Sequence, residues 1–201
     1  MVATLQQATG RATRKDWIQT YTGRQFRPLQ PDPAQIDIRD IAHALSNQCR
    51  FTGHTSRRYS VAEHSVYVAS QCLGSVTDQL WGLLHDASEA YLADVSTPVK
   101  HAPEMAPYRV IEKRLMAAVC SRFGLPREQP ECVSIADGRM LSTEARDLMY
   151  PMHPDWHLEP EPYGFTVECW SSQQAEQMFL SLFDRLYRAH IQATKALVRP
   201  Q

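Results

Sequence analysis

No stretch of this 201-residue chain approaches the ~20 consecutive apolar residues that a membrane-spanning helix needs. Residues 1–20 are polar with scattered Arg and Lys, so an apolar signal core is missing as well, and the expectation is a cytoplasmic protein with no membrane partner. Cysteine is sparse and widely spaced. Cys49, Cys72, Cys120, Cys132 and Cys169 are odd in number and include no Cys-x-x-Cys pair, which suggests neither a disulfide framework nor a thiolate zinc site. Buried or inert thiols are the expectation. An excess of one charge is also lacking. Twenty-one Lys and Arg against 22 Asp and Glu leave a net charge of −1, no footprint for a nucleic-acid polymer or an anionic membrane. Any phosphate recognition must then be local. There is no internal repeat and no low-complexity tract.

What is present is an ordinary globular composition, 43% apolar and 21% charged, at a length that supports one good core. A single domain over 1–201 is expected, with an N-terminal arm over 1–35, its first 20 residues partly mobile, and a Pro- and aromatic-rich excursion over 150–170. Helical spacing recurs in 37–48, through Ile38, Ile41, Ala42 and Leu45. Ser60 with Glu63 forms a capping-box signature opening a second helix. Thr77 is placed to cap a third, apolar almost all round, with His85 and Asp86 near its C-terminal end. Residues 107–122, stopped by Gly124, and 131–149 are two more, and Ser171 with Gln174 opens the last. Strand signals are weak. The fold class is therefore all-α, a bundle of five to seven helices with minor short strands in the N-terminal and 150–170 segments.

Four residues on these helical segments carry the chemistry: His64, His85, Asp86 and Asp137. Two imidazoles and two carboxylates suit one divalent ion of the Mn, Co, Fe, Ni, Zn or Mg kind, with positions left for water and a phosphate oxygen. An Asp in so apolar a helix is costly unless paired or metal-bound. His64 alone would more often be a core histidine, and the pair His85-Asp86 alone has a real chance rate.

Their surroundings raise the odds. Tyr59-Ser60-Val61-Ala62-Glu63-His64-Ser65, then His85-Asp86-Ala87-Ser88-Glu89, then Asp94 before Thr97-Pro98-Val99-Lys100, then Ile135-Ala136-Asp137 with Glu144 beyond, resemble the HD-domain phosphohydrolases. The stretch from Arg50 to Lys100 is most similar to the bacterial 5′-deoxynucleotidase branch, and the likeness covers about half the chain. It implies an HD-domain helical bundle, a metal held by His64, His85, Asp86 and Asp137, and hydrolysis of a nucleotide phosphate, deoxynucleoside 5′-monophosphates first.

The resemblance also implies that Asp94 acts as acid or base, assisted by Glu89, and that Arg50 contacts phosphate. Glu89, four residues after His85, is expected on the ligands' helix face. Phe51 could stack on a base, Arg57 and Arg58 rival Arg50 for the phosphate, and Lys100 either faces phosphate or is solvated. His43, His101, His153, His157 and His190 read as surface or loop residues, with His54 kept as a candidate substrate contact. Two alternatives stay open: a nucleoside triphosphate phosphohydrolase with the same metal site, and a nucleotide- or metal-binding regulatory module without turnover. The partner is a small-molecule nucleotide, and a homodimer is a further expectation from the branch.

Overall fold

The computed structural model describes residues 16–149 and 151–198. Residues 1–15 of the expected arm, with 150 and 199–201, lie outside it. The described part of the arm is packed onto the body. A two-residue antiparallel ladder joins β1 (Ile18–Gln19) to β2 (Gln25–Phe26). Phe26, fully buried, stacks on Tyr91 at 4.1 Å, and Thr22 donates its N–H to Asp40 over 2.7 Å. Residues 16–20 are thus fixed at the edge of the core, not loose as their lack of periodicity suggested.

Among the described residues six helices run nine residues or more: α1 (Ile38–Asn47), α2 (Val61–Gln71), α3 (Val76–Leu84), α6 (Ala106–Phe123), α7 (Glu131–Leu148) and α8 (Ser172–Val198). Two single turns, α4 (Glu89–Leu92) and α5 (Thr97–Lys100), lie between α3 and α6. The fold is an all-α bundle. Its boundaries follow local chemistry. Asp37 caps α1 by accepting the Arg39 N–H, Ser60 caps α2 by accepting the Glu63 N–H, and Gly124, in the left-handed region at φ 71°, ends α6. For α3 the cap is Ser75, in a reciprocal capping box with Asp78, two residues earlier than Thr77.

The core is built around α2, which packs against α3, α7 and α8 and buries Val61, Ala62, Val66 and Val68. Gly82 lets α3 approach it closely: a Cβ there would stand 3.3 Å from the Ala69 Cα. Through that approach the ends of α2 and α3 share one region. No strand forms in 151–170 among the described residues; Pro151, Pro154, Pro160 and Pro162 each remove a ladder N–H. The segment instead lies over α2 and α7 through stacked rings, Tyr163 on Phe165 and Phe165 on Tyr67. Glu63 ties down its far end by accepting the Cys169 and Trp170 N–H groups at 2.8 and 2.7 Å. No helix among the described residues is long and apolar enough to cross a membrane.

Candidate metal centre

His64 stands one turn into α2 with no exposed surface. Helix α3 ends at Leu84, so His85 is its C-cap and Asp86 lies in the turn beyond, where the sequence pattern expected both still inside the helix. Ending there leaves the Gly82 carbonyl free, and His85 donates its Nδ1–H to it over 2.8 Å. His64 likewise donates Nδ1–H to Glu144 Oε1 over 2.6 Å. With both Nδ1 protons engaged, the two Nε2 atoms face each other at 3.2 Å. His64, His85 and Asp86 each bring one ligand atom within 4.8 Å of the others, a group that could hold a metal ion. Asp137, from the middle of α7, adds Oδ1 at 3.1 Å from His64 Nε2 and 3.9 Å from His85 Nε2.

The donor set fits a divalent cation. Neutral imidazoles that donate Nδ1–H to a carboxylate or carbonyl present the Nε2 lone pair as a ligand, in the arrangement metal-bound histidines use. Two imidazole nitrogens and two carboxylates thus converge on one point, with Arg50 at the edge of the group. Without an ion, a proton on the imidazoles is what meets the carboxylates. Burial alone would depress the His85 pKa, but Asp86 and Asp137 overturn this and lift it to about 9. Burial opposes ionisation of Asp86 and Asp137, yet His85, His64 and Arg50 hold Asp86 far below the usual range, and the two histidines hold Asp137 at about 2.

Arg50 is held from behind. Its Nε donates to Glu144 over 3.0 Å and its Nη1 lies 3.6 Å from Asp86. Burial works against its charge, but Glu144, Asp86 and Asp137 keep the guanidinium ionised. Phe51 and Thr52 follow in the left-handed region, both at φ 54°, a costly conformation for non-glycine residues of the kind found at functional loops. Glu89 opens α4, a new turn and not a continuation of α3. Burial first, then Asp86 and Asp94, raise its pKa to about 9, and its Oε2 has no hydrogen-bond partner. Burial also raises the Asp94 carboxyl, against the pull of Arg50. Lys100 bridges Glu89 at 3.4 Å and Glu112 at 2.8 Å.

Two clefts meet at these residues. One of about 600 Å³ is lined by Arg50, Phe51, Glu89, Asp94, Lys100 and Trp156. The other, of about 570 Å³, opens past His85 and Ser88 to Trp81, Lys113 and Arg127. Asp86, Asp137 and Lys100 border both.

Of the residues singled out from sequence, Arg57 and Arg58 are the ones the structure sets apart. Arg57 donates to the Val167 carbonyl over 3.3 Å, and Arg58 to the carbonyls of Ser46 and Trp170, so they fasten the 151–170 segment instead of facing either cleft. His190 is also misplaced as a surface residue: it is buried, between the Thr77 hydroxyl and the Gly124 carbonyl. His54 lines a separate shallow cavity with His153 and Trp156.

One residue was named from the sequence without a role, and two were missed. Glu144 joins His64, Arg50 and Tyr59, and its position seven residues after Asp137, two turns on the same face of α7, was a readable signal. Gln48 holds α4 at both ends, donating to the Glu89 carbonyl and accepting the Asp94 N–H, each at 3.0 Å. Trp156 meets the Phe51 ring edge-on at 6.3 Å. Neither of the last two had a sequence signal.

No family model matches the chain. Over 173 residues it is 38% identical to the uncharacterised protein YfdR of Escherichia coli (strain K12), a match spanning 85% of this chain and 95% of that protein. The chain belongs to the YfdR family. It is also 42% identical over 125 residues to an uncharacterised protein of Rhodobacter capsulatus, spanning 58% of this chain and 63% of that one.

Proposed function

We propose that this protein is a metal-dependent phosphohydrolase of the HD superfamily that removes phosphate from nucleotides, deoxynucleoside 5′-monophosphates above all. The observation that carries the reading is the convergence of His64 Nε2, His85 Nε2 and the Asp86 carboxylate beside a largely buried, ionised Arg50 at the junction of two clefts. His64, His85, Asp86 and Asp137 would hold the ion. Bound there, a divalent ion supplies Lewis-acid polarisation of a phosphoryl oxygen and a water of lowered pKa.

The remaining work belongs to the chain. Arg50, locked by Glu144, offers its outer N–H groups to phosphate oxygens and offsets the charge that develops on them. Asp94, at the wall of the same cleft, accepts the proton of the attacking water. Glu89, whose pKa burial and the neighbouring carboxylates raise to about 9, donates its proton to the departing oxygen. Phe51 and Trp156 provide apolar faces for the base.

One observation favours a second reading, a nucleoside triphosphate substrate. Lys113 and Arg127 in the second cleft have no ion-pair partner among the described residues, and two free cations beyond the ligands would suit a longer phosphate chain.

The test is phosphate release from mono- and triphosphates of several bases, with the protein loaded in turn with Mn, Co, Ni and Mg. Monophosphates should lead. Triphosphates leading, with the preference lost in Lys113→Ala/Arg127→Ala, would install the second reading. Nucleotide binding without release under any metal would make the protein a binding module and overturn both.

A further inference from the structure

Two thiols stand outside everything the metal centre uses. Cys72 is the residue on which α2 ends, and Cys132 is the second residue of α7. Sixty positions apart in the chain, their Sγ atoms lie 2.7 Å from one another. A disulfide bond is about 2.05 Å long, so closing one takes a movement of less than about 1 Å. Cys72 is 2% exposed, whereas Cys132 is partly open to solvent. The turn between α2 and α3 presses on the pair. A Cβ at Gly74 would stand 2.9 Å from Cys132 Sγ and 2.6 Å from Asp78 Oδ2, so a residue without a Cβ is what lets the turn lie there.

We propose that Cys72 and Cys132 form a reversible disulfide that staples the C-terminal end of α2 to the N-terminal end of α7, with a low-molecular-weight disulfide as the oxidant. Cys132, the accessible thiol, reacts first. Its thiolate attacks one sulfur of the reagent, forming a mixed disulfide and expelling one reagent thiolate. Cys72, whose thiol burial and the neighbouring Cys132 push up to about 12, gives its proton to that expelled thiolate and attacks the Cys132 sulfur. The second reagent thiolate leaves and takes up the proton that Cys132 gave to solvent. The protein loses two electrons and two protons, and the reagent disulfide becomes two thiols.

Helix α2 carries His64, and α7 carries Asp137 and Glu144, so the staple joins two helices that supply the metal centre. It does so whatever that centre does. This is a departure from the expectation of inert thiols, and it arises because the fold brings together two residues with no sequence relation.

The experiment uses the full chain and glutathione. Equilibrated with oxidised glutathione, quenched with an alkylating reagent and digested, wild type should yield a Cys72–Cys132 cross-linked peptide and lose two of its five free thiols. Reduction should restore all five. Cross-linking should raise Tm by roughly 5–15 °C, because the closed loop is long. Gly74→Ala, which crowds Cys132, should lower the cross-linked fraction, and Cys132→Ala should abolish both the peptide and the Tm shift. Both thiols remaining alkylatable, a reaction that stops at a glutathione adduct, or pairing of either with Cys49, Cys120 or Cys169 would overturn the proposal. Since the decisive readout is on wild type, it does not depend on a variant folding.

Discussion

The Nδ1–H of His64 donates to Glu144 Oε1 across 2.6 Å, joining two fully buried residues eighty positions apart. The same carboxylate takes the Tyr59 hydroxyl at 2.9 Å and Arg50 Nε at 3.0 Å. One group therefore sets both the direction in which His64 presents Nε2 and the position of the Arg50 guanidinium beside the cluster. Burial raises the Glu144 pKa, but Arg50 and His64 outweigh it and keep the group ionised.

Glu144→Gln should weaken metal binding by about 10–100-fold, the usual cost of losing an outer carboxylate behind a ligand histidine. Titration calorimetry with Mn or Co would measure it. Glu144→Ala removes the partner of a buried guanidinium and should cost about 3–5 kcal/mol of stability in urea unfolding. Wild-type affinity in the Gln variant would mean that the bond is structural only.

His85→Ala and Asp86→Ala should each abolish metal retention and turnover together, since their ligand atoms belong to one group within 4.8 Å. Elemental analysis of the purified variants alongside phosphate release checks this. Full activity of Asp86→Ala in metal-depleted buffer would refute the metal reading.

Asp94→Ala should lower kcat by about 100-fold or more with metal content unchanged, because acid–base groups are typically worth 10² to 10⁴. A variant that instead emerges without metal makes Asp94 a ligand.

Arg50→Ala should reduce kcat/KM for every nucleotide alike, by about 2–5 kcal/mol if the guanidinium meets phosphate in its buried setting. Phe51→Ala and Trp156→Ala should change the ranking among bases. Uniform kinetics across bases in both aromatic variants would place the base elsewhere.

Asp37 gives a test of stability remote from the centre. It accepts the Arg39 guanidinium and the Arg24 guanidinium, each at 2.9 Å, besides capping α1. The hydrogen bond from Arg39 is the largest cause of a pKa of about 2 against the ordinary 3.8. A carboxylate depressed in the folded state stabilises above its unfolded pKa, and that contribution is lost as pH falls from 3.8 through about 2. Asp37→Ala should cost about 1 kcal/mol at neutral pH and show a shallower acid limb in thermal melts across that window. An unchanged acid limb would mean that the cap is dispensable.

The bundle was legible because its signals are local. Ser60 and Glu63 start α2, Gly124 stops α6, and Ser171 accepts the Gln174 N–H where α8 begins, all interactions within one turn that a linear pattern records. The near-zero net charge likewise left no broad basic surface, so any phosphate recognition had to be local. Asp86 stood out because a carboxylate inside an apolar helix calls for a partner, and His64, His85 and Asp137 because the short motifs around them resemble those of a known family.

Which partners they have was decided by tertiary structure alone. The early end of α3 freed the Gly82 carbonyl for His85, and the crossing of α2 and α7 gave Glu144 to His64 and Arg50. It also drew Arg57 and Arg58 to the backbone of 151–170, brought Trp156 to Phe51, and set Cys72 against Cys132. These contacts join segments tens of residues apart, where hydrogen-bond geometry and the packing of whole helices choose the neighbour. Residue type and short-range periodicity specify that a buried charge must be satisfied, but the group that satisfies it depends on how the chain closes on itself.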